Sequence, residues 1–129
     1  MADEEISSQV RQFIAEHIPS VARLEVLLLL KTNSLQVWTP EALARELRID
    51  ARAAGEQLEA LHHDGLLEPS GAGFRYSPKN PQLDADVIAL TQAYLVRRVT
   101  VIGLIFARPT DALRSFSDSF KIRRDPPSA

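Results

Sequence analysis

Two helix patterns and a hairpin pattern follow one another between residues 38 and 77 of this 129-residue chain. The first helix begins at Thr39, Pro40 and Glu41, because the threonine hydroxyl can cap free amides, proline fits the first helical position and glutamate favours the positive end of the helix dipole. Asp50 is a suitable cap for the second helix. Gly65 follows that helix, and we expect it to end the helix with a positive φ angle.

A glycine-containing loop between two short apolar segments predicts a β-hairpin after the second helix. The strands are expected at residues 66–68 and 74–76, and the loop at residues 69–73 contains two glycines that tolerate positive φ angles. Residues 35–38 alternate apolar and polar side chains, which indicates a further short strand that pairs with the hairpin.

This order of elements resembles a winged helix-turn-helix domain, of the kind found in bacterial MarR-like and ArsR-like transcriptional regulators. The resemblance covers about residues 20–80 and rests on Ala42, Leu43, Ala44, Leu47, Ile49, Leu58, Leu61, Gly65, Leu66 and Leu67. It implies a mainly α fold with a small β-hairpin wing, an N-terminal helix and a long C-terminal dimerisation helix. It also implies that the second helix of the pair enters the DNA major groove.

Further helix patterns lie on both sides of this unit. Near the N-terminus, Ile6, Val10 and Phe13 share one face of an amphipathic helix. Residues 26–30 are apolar nearly all round their helix and are therefore expected to be buried. We divide the chain into four parts: an N-terminal amphipathic helix (1–19), a winged helix-turn-helix domain (20–80), a C-terminal helical dimerisation region (81–124) and a disordered tail (125–129).

The dimerisation region predicts one long helix with two apolar stripes. Prolines in a linker at residues 77–81 disfavour helix there, so we expect the helix to start near Asp84 and to end at Pro109. Residues 99–107 also fit a buried strand, but they continue the helical stripes. An apolar surface this wide needs a partner. The expected homodimer contact consists of Val87, Leu90, Tyr94, Leu95, Val99, Ile102 and Phe106.

An alternative is that this helix folds back over its own domain together with the N-terminal helix. After Pro109, a last short helix is expected with Leu113, Phe116 and Phe120 on one face. The basic cluster that follows can interact favourably with the helix dipole, approach phosphates or contact an acidic partner. It consists of Lys121, Arg123 and Arg124.

Composition limits the class of protein. The hydrophobic fraction of 45% and the charged fraction of 25% are those of an ordinary globular protein. No segment reaches the roughly 18 apolar residues that cross a bilayer, and the acidic start does not fit a secretory signal. We therefore expect a cytoplasmic protein with no membrane partner. The chain contains no cysteine, which excludes disulfides and thiolate metal sites within it.

The sequence contains no familiar catalytic motif. A glycine-rich phosphate loop, a G-x-S-x-G elbow and an H-E-x-x-H pair do not occur. The adjacent histidines His62 and His63 point about 100° apart on a helix, so they do not easily share one metal ion. We predict no enzyme, no cofactor and no metal site.

DNA is the partner that the resemblance implies, and its cations are expected to converge at the turn, the start of the second helix and the wing. However, residues 39–80 contain five basic and seven acidic side chains, whereas nucleic-acid binders usually present a basic surface. The competing hypothesis is an adaptor that binds protein, for instance of the transcription machinery, through its acidic face. The candidate DNA contacts are Arg48, Arg52, Gly55, Glu56, Arg75 and Lys79.

Overall fold

The computed structural model describes residues 6–107, and all structural statements concern this part of the chain. It is mainly helical with one two-stranded antiparallel sheet, which confirms the expected fold class at that level. The elements are α1 (Ser8–His17), α2 (Val21–Thr32), α3 (Pro40–Leu47), α4 (Ala51–His63), β1 (Leu67–Ser70), β2 (Gly73–Tyr76), α5 (Pro81–Val96) and α6 (Arg98–Ala107). The short helix, basic cluster and tail expected after Pro109 lie outside the described residues.

Side-chain caps fix where five of these helices begin. In each case a short polar side chain accepts a hydrogen bond from the backbone N–H three residues later, which satisfies an amide that has no partner within the helix. The predicted caps Thr39 and Asp50 act in this way on α3 and α4. The other three caps are Ser7 on α1, Ser20 on α2 and Asn80 on α5.

The end of α4 is a Schellman motif centred on Gly65. Gly65 has a φ of 84°, which confirms the expected positive value. The N–H of Leu66 donates to the carbonyl of Leu61 at 3.0 Å, and the N–H of Gly65 donates to that of His62 at 2.9 Å. Leu61 and Leu66 are both fully buried, so the motif turns the chain from α4 directly into the core.

The hairpin is tighter than the sequence suggests. Its register runs from Leu67 opposite Tyr76 to Ser70 opposite Gly73, which leaves two residues for the turn. The expected strand at residues 35–38 is reduced to a single bridge, in which Trp38 and Phe74 exchange N–H···O bonds of 2.7 and 2.9 Å. A turn between Asn33 and Gln36 interrupts the extended backbone before that bridge, so a strand cannot form.

One continuous core joins all parts of the described chain. Residues from α1, α2, α3, α4 and the hairpin form it together with residues from both C-terminal helices. Helix α1 packs against α5 and α6. The N-terminal and C-terminal helices therefore cover the same domain, as the fold-back alternative expects for the individual chain.

The single long C-terminal helix is a wrong prediction. Helix α5 ends at Val96, and α6 starts at Arg98 with a bend of 117° between them. The bend brings Val101 and Ile105 of α6 into the core. A straight helix pointing away from α1 would leave both side chains in solvent and lose the stabilisation that their burial provides. No single helix among residues 6–107 is long and apolar enough to span a membrane; only α5 and α6 taken together reach that length.

The start of α5 also differs from the expectation. The helix begins at Pro81 rather than near Asp84, with Asn80 as its cap. A proline is tolerated at the first helical position because the N–H that it lacks has no partner within the helix. The linker is therefore residues 77–80, and Lys79 in it donates its N–H to the Gly65 carbonyl at 2.8 Å.

Candidate nucleic-acid interface

Arg48 lies in the turn between α3 and α4 in a left-handed conformation. Its φ and ψ are 59° and 49°, and it is the one non-glycine residue with positive φ among residues 6–107. The next residue, Ile49, donates its N–H to the Ala44 carbonyl at 3.0 Å, which closes the end of α3. A side chain in this conformation costs on the order of 1 kcal/mol relative to glycine. Arg48 is an exposed residue, and glycine at position 48 would therefore give a more stable protein than arginine does.

The first turns of α4 present one charged pair to solvent. Arg52 Nε lies 3.6 Å from Glu56 Oε2, and the side chains are 86% and 71% exposed. Exposed pairs of this kind contribute roughly 0.3–0.5 kcal/mol on a helix, so either side chain can exchange its partner at little cost. Arg52 points outward as the sequence predicts, with a carboxylate beside it.

Gly55, in the same turns of α4, is half-buried. A β-carbon at Gly55 would lie 3.6 Å from the Pro40 side chain, so this side of α4 faces the start of α3. The DNA contact at Gly55 stays a prediction, and the small residue also lies at the contact between the two helices.

Arg75 in the hairpin and Lys79 in the linker after it both contact neighbouring residues. Arg75 stands directly opposite Glu68 in the hairpin register, and its Nε lies 3.1 Å from Glu68 Oε2. Arg75 also approaches that carboxylate through its terminal nitrogen. The aliphatic part of the Lys79 side chain passes over Gly65, so that a β-carbon added at Gly65 would lie 2.5 Å from Lys79 Cδ. Lys79 as a whole is exposed to solvent.

These four cations form two groups. Arg48 and Arg52 lie at the start of α4, whereas Lys79 packs over Gly65, which directly follows the other end of that helix. A helix of 13 residues is roughly 20 Å long. Arg75 lines the same groove as Lys79. The expected convergence on one patch is therefore replaced by a cation pair at each end of α4.

A polar groove that the sequence does not reveal lies between α2, β2 and α5. It has a volume of about 620 Å³ and contains Lys31, Tyr76 and Asp84. The Tyr76 hydroxyl donates to Asp84 Oδ1 at 2.8 Å, and Lys31 Nζ lies 3.7 Å from the same oxygen. Burial, followed by the hydrogen bond to Asp84 and its negative charge, raises the pKa of Tyr76 well above its ordinary value. Lys31 and Asp84 carry opposite charges, Tyr76 donates to the same carboxylate, and the three side chains join three elements, so their geometry is that of a structural network.

A second long-range contact ties α1 to the end of α4. His17 Nδ1 lies 2.9 Å from Asp64 Oδ2, and its ring packs against Phe13 with centroids 4.8 Å apart. Local spacing gives no signal for this contact because the two residues are 47 positions apart. Within residues 6–107, no group of three histidine, aspartate or glutamate side chains is arranged to hold a metal ion.

The predicted dimer residues divide into buried and exposed sets. Val87 and Leu90 have no exposed surface, because they lie in the core of the individual chain, and this corrects their placement at a dimer contact. Tyr94 and Ile102 are half-buried. The exposed predicted residues are Leu95, Val99 and Phe106. Together with Val96, which is not among the predicted contacts, they lie on both sides of the 117° bend, are 76 to 82% exposed, and will be called the apolar elbow.

No family model, curated protein or solved structure matches this chain. Evidence on its partners therefore comes from the chemistry of its surfaces. The start of α4 presents charged side chains in a polar setting, whereas the apolar elbow presents large apolar side chains that water solvates poorly. The two surfaces suit two different partners.

Proposed function

We propose that this chain is a winged helix-turn-helix protein that binds DNA as a homodimer and regulates transcription. The order of α3, a short turn, α4 and the hairpin supports this assignment, as does the bridge between Trp38 and β2. In this function α4 enters the major groove, while the hairpin approaches the sugar-phosphate backbone.

The observation that carries the proposal is the start of α4. Arg48 is held in a left-handed turn, and Arg52 follows on the first turn of the helix, so two long cationic side chains extend from one helix N-terminus. The partial positive charge of that terminus adds to theirs and favours an anion. Backbone strain at an exposed arginine is more easily explained by a function of its side chain than by stability.

The carboxylates set the expected strength of binding. Arg52 must leave Glu56, and Arg75 must leave Glu68, before either can bind a phosphate or a base. The Arg52–Glu56 pair is exposed and weak, so its exchange costs little, whereas Arg75 and Glu68 are half-buried and joined through two nitrogens, so their separation costs more. In both cases the unpaired carboxylate remains close to the DNA. We therefore expect modest affinity with a shallow salt dependence, since few phosphates are neutralised.

The apolar elbow supplies the dimer contact in this proposal. Leu95 and Val99 place large side chains in solvent on either side of the bend, and an isologous contact between two such surfaces buries them. A two-fold axis at this position presents two α4 helices to two DNA half-sites.

A second candidate function is supported by the exposed acids of α4. Glu56 and Glu59 are both exposed, and two of the candidate DNA-binding arginines, Arg52 and Arg75, are paired with carboxylates. A basic protein surface complements that face better than a phosphate backbone does. In this alternative the chain is an adaptor that contacts a protein, for instance of the transcription machinery.

A gel-shift series on genomic fragments separates the two candidates. For a DNA-binding protein, Arg52→Ala should lower affinity by roughly 1–3 kcal/mol and change sequence preference, because a base contact is lost. Arg75→Ala should weaken binding to all sequences alike. Arg48→Gly should also weaken binding while it relieves the left-handed strain, so its loss of affinity cannot come from unfolding. Arg11→Ala, on α1, is the control for loss of one positive charge.

The adaptor predicts a different result. The unmodified protein should then retain no fragment even at low salt, and Glu56→Lys should create DNA binding by removing the acidic face. That outcome would overturn the proposal that the chain binds DNA.

A further inference from the structure

The first six residues of α4 carry only two long side chains. They read Ala-Arg-Ala-Ala-Gly-Glu, so Arg52 and Glu56 extend above methyl groups and a glycine. Gly55 faces Pro40 and Ala54 is fully buried, and the remaining side chains, Ala51 and Ala53, are single methyl groups that do not reach as far as Arg52 and Glu56. A surface that approaches the outward face of these six residues closely therefore meets Arg52 and Glu56.

We propose that Arg52 and Glu56 read DNA sequence as a unit, Arg52 recognising a guanine and Glu56 recognising a cytosine. This inference rests on the proposed function, in which α4 lies in the major groove. A guanidinium donates two hydrogen bonds to O6 and N7 of guanine, and a carboxylate accepts one from the N4 amino group of cytosine. The pair therefore selects G·C base pairs within the half-site.

The spacing of the two residues fits neighbouring base pairs. One helical turn separates them, about 6 Å along the axis of α4, and stacked base pairs are about 3.4 Å apart. Their charged groups are already within 3.6 Å of one another in the free protein. The guanine and the cytosine are thus expected within two base pairs of each other.

Glu56 acts mainly by rejecting the wrong sequence. A carboxylate near the major-groove edge of thymine or guanine faces the acceptors O4, O6 and N7 and finds no donor to replace Arg52. Cytosine and adenine both offer an amino donor, but adenine places the N7 acceptor beside it, so a carboxylate is accommodated better at cytosine. A cytosine at this position leaves Arg52 free to bind guanine. The acidic side chain consequently lowers affinity for most DNA and preserves it for one class of site, which is how specificity is gained by disfavouring alternatives.

Selection of bound sequences from a random duplex library tests this assignment. The full chain, Glu56→Gln and Glu56→Ala are compared, with Glu25→Gln on α2 as a control that makes the same charge change away from α4. The unmodified chain should enrich sites with a guanine and a cytosine within two base pairs. Glu56→Gln should replace that cytosine by adenine, because a glutamine amide pairs with N6 and N7 of adenine. Its affinity for the original site should fall roughly ten- to hundredfold.

The outcomes decide the inference separately from the proposed function. If the unmodified chain enriches a site and Glu56→Gln enriches the same site, base reading by Glu56 is wrong although the protein binds DNA. If the unmodified chain enriches nothing and binds no duplex at low salt, the proposed function fails and the inference fails with it. Circular dichroism checks the fold of each variant. Should Glu56→Gln not fold, Glu56→Ala decides the question, since it must lose preference at the cytosine position.

Discussion

The backbone of Gly73 lies so close to that of Trp38 that a β-carbon at Gly73 would be 2.3 Å from the Trp38 carbonyl oxygen. The carbon of that carbonyl would be 2.6 Å away and the Thr39 nitrogen 2.9 Å away. These are backbone atoms held by the bridge between Trp38 and Phe74, so they cannot move without breaking its hydrogen bonds. The absence of a side chain at Gly73 is what lets the segment before α3 join the hairpin.

Replacing Gly73 by alanine should therefore destabilise the protein by roughly 1–3 kcal/mol or more, as expected for overpacking against atoms that cannot shift. Urea unfolding followed by circular dichroism measures the effect. Gly103→Ala is the matched control, because a β-carbon at Gly103 meets no atom within 4 Å, and it should be neutral or stabilising. Equal stability of the two variants would contradict the close approach.

Gly65→Ala should cost on the order of 1 kcal/mol or more for two separable reasons. Its φ of 84° disfavours any β-carbon, and the Lys79 stem occupies the space that the methyl group needs. In a Lys79→Ala background only the backbone strain remains, so the cost of Gly65→Ala should be smaller there. A double-mutant cycle in urea measures the difference. A cost that is the same in both backgrounds would show that Lys79 simply moves aside.

Leu95→Glu should dissociate the proposed dimer without unfolding the chain. Leu95 is 77% exposed, so an added carboxylate is solvated in the monomer but desolvated in a contact between two apolar elbows. Sedimentation at micromolar concentration measures the assembly, with Ala85→Glu on the exposed start of α5 as the control for added charge. Leu90→Glu should instead unfold the chain, because Leu90 is fully buried. An unmodified chain that sediments as a monomer would exclude this contact.

Stability should fall at alkaline pH because of Tyr76. Its pKa in the folded state is raised above the ordinary value of 10.0, chiefly by burial and then by Asp84. Below pH 10 Tyr76 is protonated in both the folded and the unfolded state, so its contribution to the free energy of unfolding does not change with pH. Above pH 10 the unfolded chain ionises first, and the free energy of unfolding should decline by up to about 1.4 kcal/mol per pH unit.

Urea unfolding between pH 8 and pH 11 tests this dependence. Tyr76→Phe should lose that part of the alkaline slope, together with the hydrogen bond to Asp84. Tyr94→Phe, which removes the other tyrosine of the chain, leaves the Asp84 contact intact and should keep the slope. Identical slopes in the three proteins would mean that Tyr76 ionises in the folded state as readily as in the unfolded state.

Local chemistry in the sequence determined where the α3–α4 unit begins and ends. Thr39 and Asp50 cap their helices and Gly65 takes a positive φ because each of these interactions involves residues within a few positions of one another. The two helices, the hairpin and the outward position of Arg52 follow from the same local rules. Apolar periodicity likewise placed α1 and α2.

Only the tertiary structure decided what each apolar or charged side chain contacts. Periodicity placed Val87 and Leu95 on apolar stripes of one predicted helix, but it cannot tell that Val87 is buried against its own chain and that Leu95 is exposed, because the two differ only in what packs there. The break at Arg97 arises because burying Val101 against the core stabilises a bent arrangement more than a continuous helix does.

The same distinction holds for the candidate site. The sequence identified most of its cations but neither the Glu68 partner of Arg75 nor the approach of Gly55 to Pro40, since both depend on how separate segments meet. Helix starts and ends were determined by interactions over three or four residues. Burial, ion pairing and the division of the cations between the two ends of α4 were determined by contacts between distant parts of the chain, which a local pattern does not encode.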